Sequence, residues 1–158
     1  VKKIKLTQGK YALVDDKDFK TMNEVKWYLY SNKKHDCMYA MREVSLKGKK
    51  TNIWMHRLIL GAPRNKSVDH INGNGLDNRR KNLRLATHSQ NMKNRKINKN
   101  NTSGYKGVCW NVAAKAWVVY IGVNGEKKYE GMFDSKLKAH QAYVTACQKY
   151  HGTYARVK

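Results

Sequence analysis

Short alternations of apolar and polar side chains dominate the first fifty residues. Ile4 to Leu6, Tyr11 to Val14 and Met38 to Val44 read as β-strands, with turn chemistry at Gln8-Gly9-Lys10 and Lys47-Gly48-Lys49. They predict a small antiparallel sheet with Trp27, Tyr28 and Tyr30 in its core. Residues 53–60, Ile-Trp-Met-His-Arg-Leu-Ile-Leu, fit strand or helix by periodicity alone; the reading adopted is a strand turning into a short helix that Gly61 ends. Ser67 to Ile71 reads as a strand that points Asp69 and His70 to opposite faces. A glycine-rich loop follows, then a second short strand from Asn82 to Ala86. Thr87 opens a helix, with Gln90 three residues on as in a capping box, and Asn91 lies in its first turn. The polar stretch Lys96 to Gly104 reads as a linker. Beyond it, Gly107 to Trp110, Ala116 to Val123 and Lys127 to Phe133 form three strands, two of them joined by the hairpin signal Asn124-Gly125. Asp134 to Tyr150 is helical, with Ser135 as N-cap and Gly152 as the stop. The expected organisation is a β-rich segment at 1–60, a motif-bearing centre at 61–96, a linker at 97–101 and a sheet-and-helix module at 102–158.

Composition changes the picture mainly through charge. Thirty-three Lys plus Arg stand against eleven Asp plus Glu in 158 residues, a net charge of +22. A compact body with that charge repels itself, and a polyanion is the natural relief. Residues 1–60 and 61–100 each carry a net +8, and 101–158 carry +6, so the middle forty residues are the most densely positive. A nucleic acid is expected closest there. Leu, Ile, Val and Phe number only 30, which with such a charge points towards disorder. Four Trp, ten Tyr, six Met and a single Pro point the other way. The expectation is a thin core and modest stability without a ligand. Apolar runs are too short to span a membrane, and no start resembles a signal peptide, so the chain reads as soluble and cytoplasmic. Cys37, Cys109 and Cys147 are odd in number and lack a C-x-x-C pair, which argues against a disulfide framework or structural zinc and for small core residues.

The chemistry concentrates in Val68 to Asn91. Phosphodiester hydrolysis needs a base for water, a cation for the charge on the leaving oxygen, and donors to the other phosphate oxygens. A histidine with an ordinary pKa near ~6.5 accepts a proton at neutral pH. The Asp69 carboxylate and the Asn91 amide are hard oxygen donors suited to Mg²⁺ or Mn²⁺, with water and phosphate in the remaining positions. Asp69-His70, then Asn82 twelve residues after the histidine and Asn91 nine further on, resembles the HNH family of ββα-metal endonucleases in its phage and intron-encoded His-Asn-Asn variety. The resemblance implies that His70 activates water, that Asn82 holds the imidazole by a backbone-directed hydrogen bond, and that Asp69 with Asn91 binds one divalent cation. Asn at the last position, where other branches carry His, favours Mg²⁺ or Mn²⁺. Val14-Asp15-Asp16 and Trp27 are also similar to N-terminal regions of such proteins. Beside this motif, Arg79, Arg80, Arg84, Lys93 and Arg95 are expected to touch DNA.

A second resemblance covers the tail. Ser103 to Trp110, Lys115 to Ile121, Tyr129 to Phe133 and Ala139 to Tyr143 are similar to AP2-type DNA-binding domains, whose three-stranded sheet lies in the major groove. Trp110, Lys115, Trp117, Tyr120 and Lys128 are the implied contacts. Lys lacks the bidentate fork of Arg, which argues against guanine reading. The two resemblances together imply an α+β chain: a small β-rich N-terminal segment, a ββα-metal nuclease core, and a C-terminal antiparallel sheet packed on one helix. It would act as a monomer on double-stranded DNA, in a bacterial or phage-infected cell.

Each residue also has a plainer reading. Asp69-His70 would be an idle strand pair, and Asn82 and Asn91 ordinary turn and cap residues. Asp77 and Asn78 tie the loop to its own backbone in the favoured reading. Arg79, Arg80 and Lys81 would be a solvated face. His56 reads as a satisfied core histidine and His88 as exposed. The competing function is a DNA-binding regulatory protein whose motif is a catalytic relic, and an RNA-binding protein ranks third.

Overall fold

The structure is a computed structural model that describes residues 1–32, 36–46 and 48–157. The chain divides into two compact units, residues 1–88 and 89–158.

In the first unit, β1 (Lys2–Lys5) pairs antiparallel with β2 (Tyr11–Val14), bringing Lys3 opposite Leu13. Ile4, Leu6, Ala12 and Val14 are buried, while the charged and polar positions between them face outward. The turn bends at Gln8 and Gly9, both with positive φ. The sequence reading had no helix next, yet α1 (Asp16–Asn23) follows. Eight residues with Phe19 and Met22 on the inner side give too short an apolar stripe to stand out. Asp16 and Asp18 in its first turn complement the positive end of the helix dipole. At its other end the indole of Trp27 donates to Met22 O at 2.7 Å, so this buried ring satisfies its polar atom.

β3 (Tyr28–Asn32), β4 (Cys37–Leu46) and β5 (Lys49–Trp54) form a separate antiparallel sheet, so the N-terminal strands build two small sheets rather than one. Of the expected turn between β4 and β5, Lys47 lies outside the described residues, and Gly48 has φ +74. Trp27 is core as expected, but Tyr28 and Tyr30 are exposed. Strand alternation turns them outward and leaves Leu29 packed against the core. The next element follows the reading closely: β5 runs into α2 (Met55–Leu60), and Gly61, left-handed, donates its N–H to the Arg57 and Leu58 carbonyls. The Arg57 guanidinium then ties down the following turn through the carbonyls of Lys66, Ala62 and Pro63, at 2.8, 3.2 and 2.8 Å. That turn delivers β6 (Ser67–His70), which pairs with β7 (Leu83–Ala86), Asp69 opposite Arg84 and His70 opposite Leu83.

In the second unit, which begins at the second residue of α3 (His88–Lys93), β8 (Val108–Asn111), β9 (Ala116–Val123) and β10 (Glu126–Phe133) form an antiparallel sheet with β9 in the middle. Asn124 and Gly125, both with positive φ, close the β9–β10 hairpin. α4 (Lys136–His151) starts at Ser135, whose hydroxyl accepts from Leu137 N, and ends at Gly152. Ala139, Tyr143, Ala146 and Cys147 of α4 pack on Val108, Val119 and Ile121. The stretch read as a linker is bonded to itself: the Ser103 hydroxyl donates to Tyr105 O at 2.8 Å, and Asn101 Oδ1 accepts from Gly104 N at 2.7 Å. Of the three cysteines, all free, only Cys147 is a core residue; Cys109 is exposed and Cys37 half-buried. Among the described residues, no helix is long and apolar enough to cross a membrane.

Candidate active site

The β6–β7 hairpin and its connecting loop build the site in the first unit. Asp69 and His70, 4% and 6% exposed, end β6. The cross-strand partner of Asp69 supplies its counter-charge: Arg84 Nε and Nη2 lie 2.8 and 2.7 Å from the same carboxylate oxygen, Oδ2. Loop residues 71–82 then close on themselves through side chains that mimic turns. Asn72 Oδ1 accepts from Asn74 N at 2.8 Å, and Asn74 Oδ1 from Leu76 N at 3.1 Å. Asn82 spans the loop, its Oδ1 accepting from Asn72 N at 2.9 Å and its Nδ2 donating to Asp77 O at 2.8 Å. Gly75 passes so close to the Met38 carbonyl and the Tyr39 ring that a Cβ there collides with both. The loop is thus pressed against β4.

The other side of the loop meets the N-terminal hairpin. Leu13 N donates to Leu76 O, and Asn78 N to Leu13 O, both at 2.8 Å. Asp15 Oδ2 accepts from Arg80 N at 2.8 Å, and the Arg80 guanidinium forks onto Asp18 at 2.9 and 2.8 Å. Arg79 forks in the same way onto Asp77, at 2.7 and 2.6 Å, and holds that carboxyl below its ordinary range. Arg79, Arg80 and Arg84 therefore each lie against a carboxylate of their own unit. A guanidinium has five N–H donors, so such pairing orients these side chains without exhausting them.

The amide that meets the His70 ring belongs to Asn78, whose Oδ1 lies 3.4 Å from Nε2. Burial pushes the His70 pKa down, opposed by the Asn78 bond and the Asp69 and Asp77 charges, so the ring is neutral at pH 7. Around it stands an aromatic wall that the sequence did not announce. The His56 ring is edge-on to His70 at 5.1 Å, the Tyr39 ring lies 5.7 Å from His70, and Trp54 stacks on His56 at 6.1 Å. His56 is buried as expected, but among the described residues its Nδ1 has no hydrogen-bond partner.

Burial, with the nearby His70 and Arg57 charges, lowers the His56 pKa from its ordinary 6.5 to about 3. Unfolding restores the ordinary value, so the neutral folded ring contributes fully above pH 6.5. That contribution falls by about 1.4 kcal/mol per unit as pH drops from 6.5 towards 3. His56→Phe keeps a ring and removes the proton site. In urea unfolding at pH 7 and pH 4.5, we expect the parent to lose about 2–3 kcal/mol more than the variant. Parallel losses in the two proteins would contradict this.

The remaining candidates belong to the second unit. Asn91 is half-buried in α3. Lys93 Nζ donates to Tyr150 O at 3.3 Å, and Arg95 is exposed. Lys106, which the reading passed over, donates to the carbonyls of Lys93 and Arg95 at 2.7 and 2.9 Å, closing the end of α3. Trp110 and Trp117 meet edge to face at 5.1 Å. Lys115 is exposed in the β8–β9 turn with φ +48. Tyr120 is exposed beside Tyr129, ring centroids 5.8 Å apart. Lys128 is bonded to the Tyr150 hydroxyl at 2.5 Å. His88 is exposed, His140 stacks on Tyr105 at 4.2 Å, and His151 Nε2 lies 2.8 Å from Gly122 O.

Among the described residues, no three His, Cys, Asp or Glu side chains come together as a metal cage. Asp69 in the first unit and Asn91 in the second are each oxygen donors of the kind that hard divalent cations take. Arg84 Nε and Nη2 both approach Oδ2 of Asp69, so a cation there would meet a carboxylate already engaged by a guanidinium.

A strand hairpin with a buried Asp-His pair is compatible with an HNH nuclease, and the comparisons point to that family. Residues 51–93 match the HNH endonuclease family. The chain is 33% identical over 96 residues to Protein 3.8 of Escherichia phage T7, covering 61% of this chain and 78% of that one. It is 29% identical over 150 residues to an uncharacterized HNH endonuclease of Acanthamoeba polyphaga mimivirus, covering 94% and 74%. No solved structure matches. Residues 51–93 carry an HNH endonuclease domain and a viral relative bears that family's name, which supports a nuclease at family level; HNH nucleases generally use a divalent metal, and the family implies a DNA substrate.

Proposed function

We propose that this protein is a metal-dependent endonuclease that hydrolyses phosphodiester bonds in duplex DNA, with His70 as general base. The observation that carries the reading is the buried, neutral His70 beside Asp69 at the end of β6, inside the stretch that matches the HNH family. His70 takes a proton from water, the resulting hydroxide oxygen bonds to phosphorus, and the bond from phosphorus to the 3′-oxygen breaks. The 3′-oxygen leaves with the bonding pair and takes a proton from solvent water, so a 3′-hydroxyl and a 5′-phosphate remain. Asp69 and Asn91 would supply hard oxygen donors to one Mg²⁺ or Mn²⁺, and that ion would neutralise charge on the phosphate and leaving oxygen. Asn82 holds the loop between β6 and β7.

Residues 1–60 serve as a β-rich support, 61–96 as the nuclease centre, and 102–158 as an AP2-like DNA-binding module joined through 97–101. Arg79, Arg80, Arg84, Lys93, Arg95, Trp110, Lys115, Trp117, Tyr120 and Lys128 are its DNA contacts. One motif per chain means one strand cut at a time by a monomer. Similarity to viral proteins supports a mobile-element, homing-type role. End analysis of a cut labelled duplex tests the chemistry: 5′-phosphate and 3′-hydroxyl ends that DNA ligase seals are expected. Tight binding with no cut in Mg²⁺ or Mn²⁺ would favour a regulatory protein with a relic motif.

A further inference from the structure

We propose that Tyr28 and Tyr30 form a base-stacking platform that receives nucleobases lifted out of the duplex on the strand being cut. The inference goes beyond the supporting role proposed for residues 1–60, and its link to cutting rests on the proposed nuclease function.

Strand alternation sorts the β3–β4–β5 sheet into two faces. Leu29, Ala40 and Ile53 point one way and pack into the core of the first unit. Tyr28, Tyr30, Tyr39, Met41 and Trp54 point the other way: Tyr30 lies opposite Tyr39 in the register, and Met41 lies opposite both Tyr28 and Trp54. The face turned from the core is therefore aromatic, where an antiparallel sheet with one wet side ordinarily carries polar residues. Its exposure falls in one direction. Tyr28 and Tyr30 are 48% and 37% exposed, Trp54 and Tyr39 are half-buried, and His56 and His70 are buried. The rings meet in the same order. Tyr30 lies 5.1 Å from Trp54, Trp54 6.0 Å from Tyr39, and Tyr39 5.5 Å from His56 and 5.7 Å from His70. A continuous row of rings thus runs from solvent to the candidate site.

Charge and spacing decide what such a face fits. Fourteen basic against six acidic side chains give residues 1–60 a net +8, which draws an anionic partner to this unit. Nucleic acid is the polyanion that also carries flat apolar rings, and every base has a π-face to set on an aromatic side chain. Tyr30 and Trp54 stand edge to face, an arrangement that leaves each ring a face the other does not cover. Tyr28 and Tyr30, two positions apart, are spaced by about 7 Å along β3, about twice the 3.4 Å step between bases of a duplex strand. Bases seated on both rings cannot keep their own stack. The platform therefore suits a strand that is locally opened, and its continuity with Tyr39 beside His70 assigns that opening to the strand being cut.

The test is binding of the full chain, in EDTA, to two DNA duplexes of one sequence, one fully paired and one with two unpaired thymines in the middle of a strand. The parent is expected to bind the second about 5- to 100-fold more tightly, the range for one base stacked on an aromatic side chain. Tyr28→Ser and Tyr30→Ser are each expected to shrink that preference, and the double variant to abolish it. Affinity for the paired duplex and its salt dependence should stay parental in all three, because no phosphate contact is removed. Tyr30→Phe keeps the ring and is expected to keep the preference. With 5-iodouracil in place of one unpaired thymine, irradiation is expected to cross-link the strand to Tyr28 or Tyr30, read by mass spectrometry. Equal affinity of the parent for the two duplexes overturns the inference, as does a preference that survives in a folded double variant. A cross-link confined to other residues overturns it, and so does tighter binding of single-stranded RNA than of single-stranded DNA of the same sequence. If the double variant does not fold, the parental preference and the cross-link decide. No ion and no cut enter the measurement, so a parent that never cuts defeats the nuclease reading and leaves the platform standing.

Discussion

His70→Ala is expected to cut duplex DNA about 10²- to 10⁴-fold more slowly than the parent, the range that a positioned general base contributes. Binding should survive. His70 is one neutral side chain in a molecule with a net charge of +22, and its bond to Asn78 is long, so its removal leaves the phosphate-binding charge untouched. The loss should appear in kcat, because a base acts on the proton transferred in the transition state and contributes little to ground-state affinity. Single-turnover cleavage of a labelled duplex, beside fluorescence anisotropy on the same duplex, separates the two effects. Cleavage at the parental rate would remove His70 from the role of base. Parallel loss of binding and cleavage would point to a damaged fold.

The second large effect is on salt. Binding that neutralises phosphates releases counterions, and a protein making six to ten phosphate contacts loses about 10³- to 10⁵-fold in affinity between 50 and 200 mM salt. Thirty-three Lys and Arg make contacts of that number available, even with Arg79, Arg80 and Arg84 drawn towards carboxylates. The paired arginines should contribute less to the slope than exposed Lys115 and Arg95. Anisotropy titrations across that range measure it directly. A flat response would mean that the charge serves something other than a polyanion.

Where local chemistry decides the structure, the sequence was a sufficient guide. β9 begins and ends where alternation placed it, Ser135 and Gly152 bound α4, and Gly61 ends α2. Each depends on a backbone conformation or cap that one residue type favours. The Asp-His pair and the two asparagines were singled out for a different reason, their fixed spacing. Long-range neighbours were not legible. Nothing local announces that β2 braces the loop at Asn78, that Asp18 receives Arg80 from 62 positions away, or that Tyr39 and His56 wall the His70 ring. Asn78 itself was read as a residue tying the loop to its own backbone. It does so through Leu76, and it also reaches the imidazole. The clue available was a second asparagine beside Asp77 in a loop already rich in them, which turn chemistry explains equally well.

Incubation of supercoiled plasmid with the purified chain addresses the central claim most directly, with Mg²⁺ or Mn²⁺ in one arm and EDTA in the other. The account predicts nicked circles wherever the ion is present and intact supercoils in EDTA. Plasmid that binds the chain yet stays supercoiled with either ion, or nicking that continues in EDTA, would contradict it.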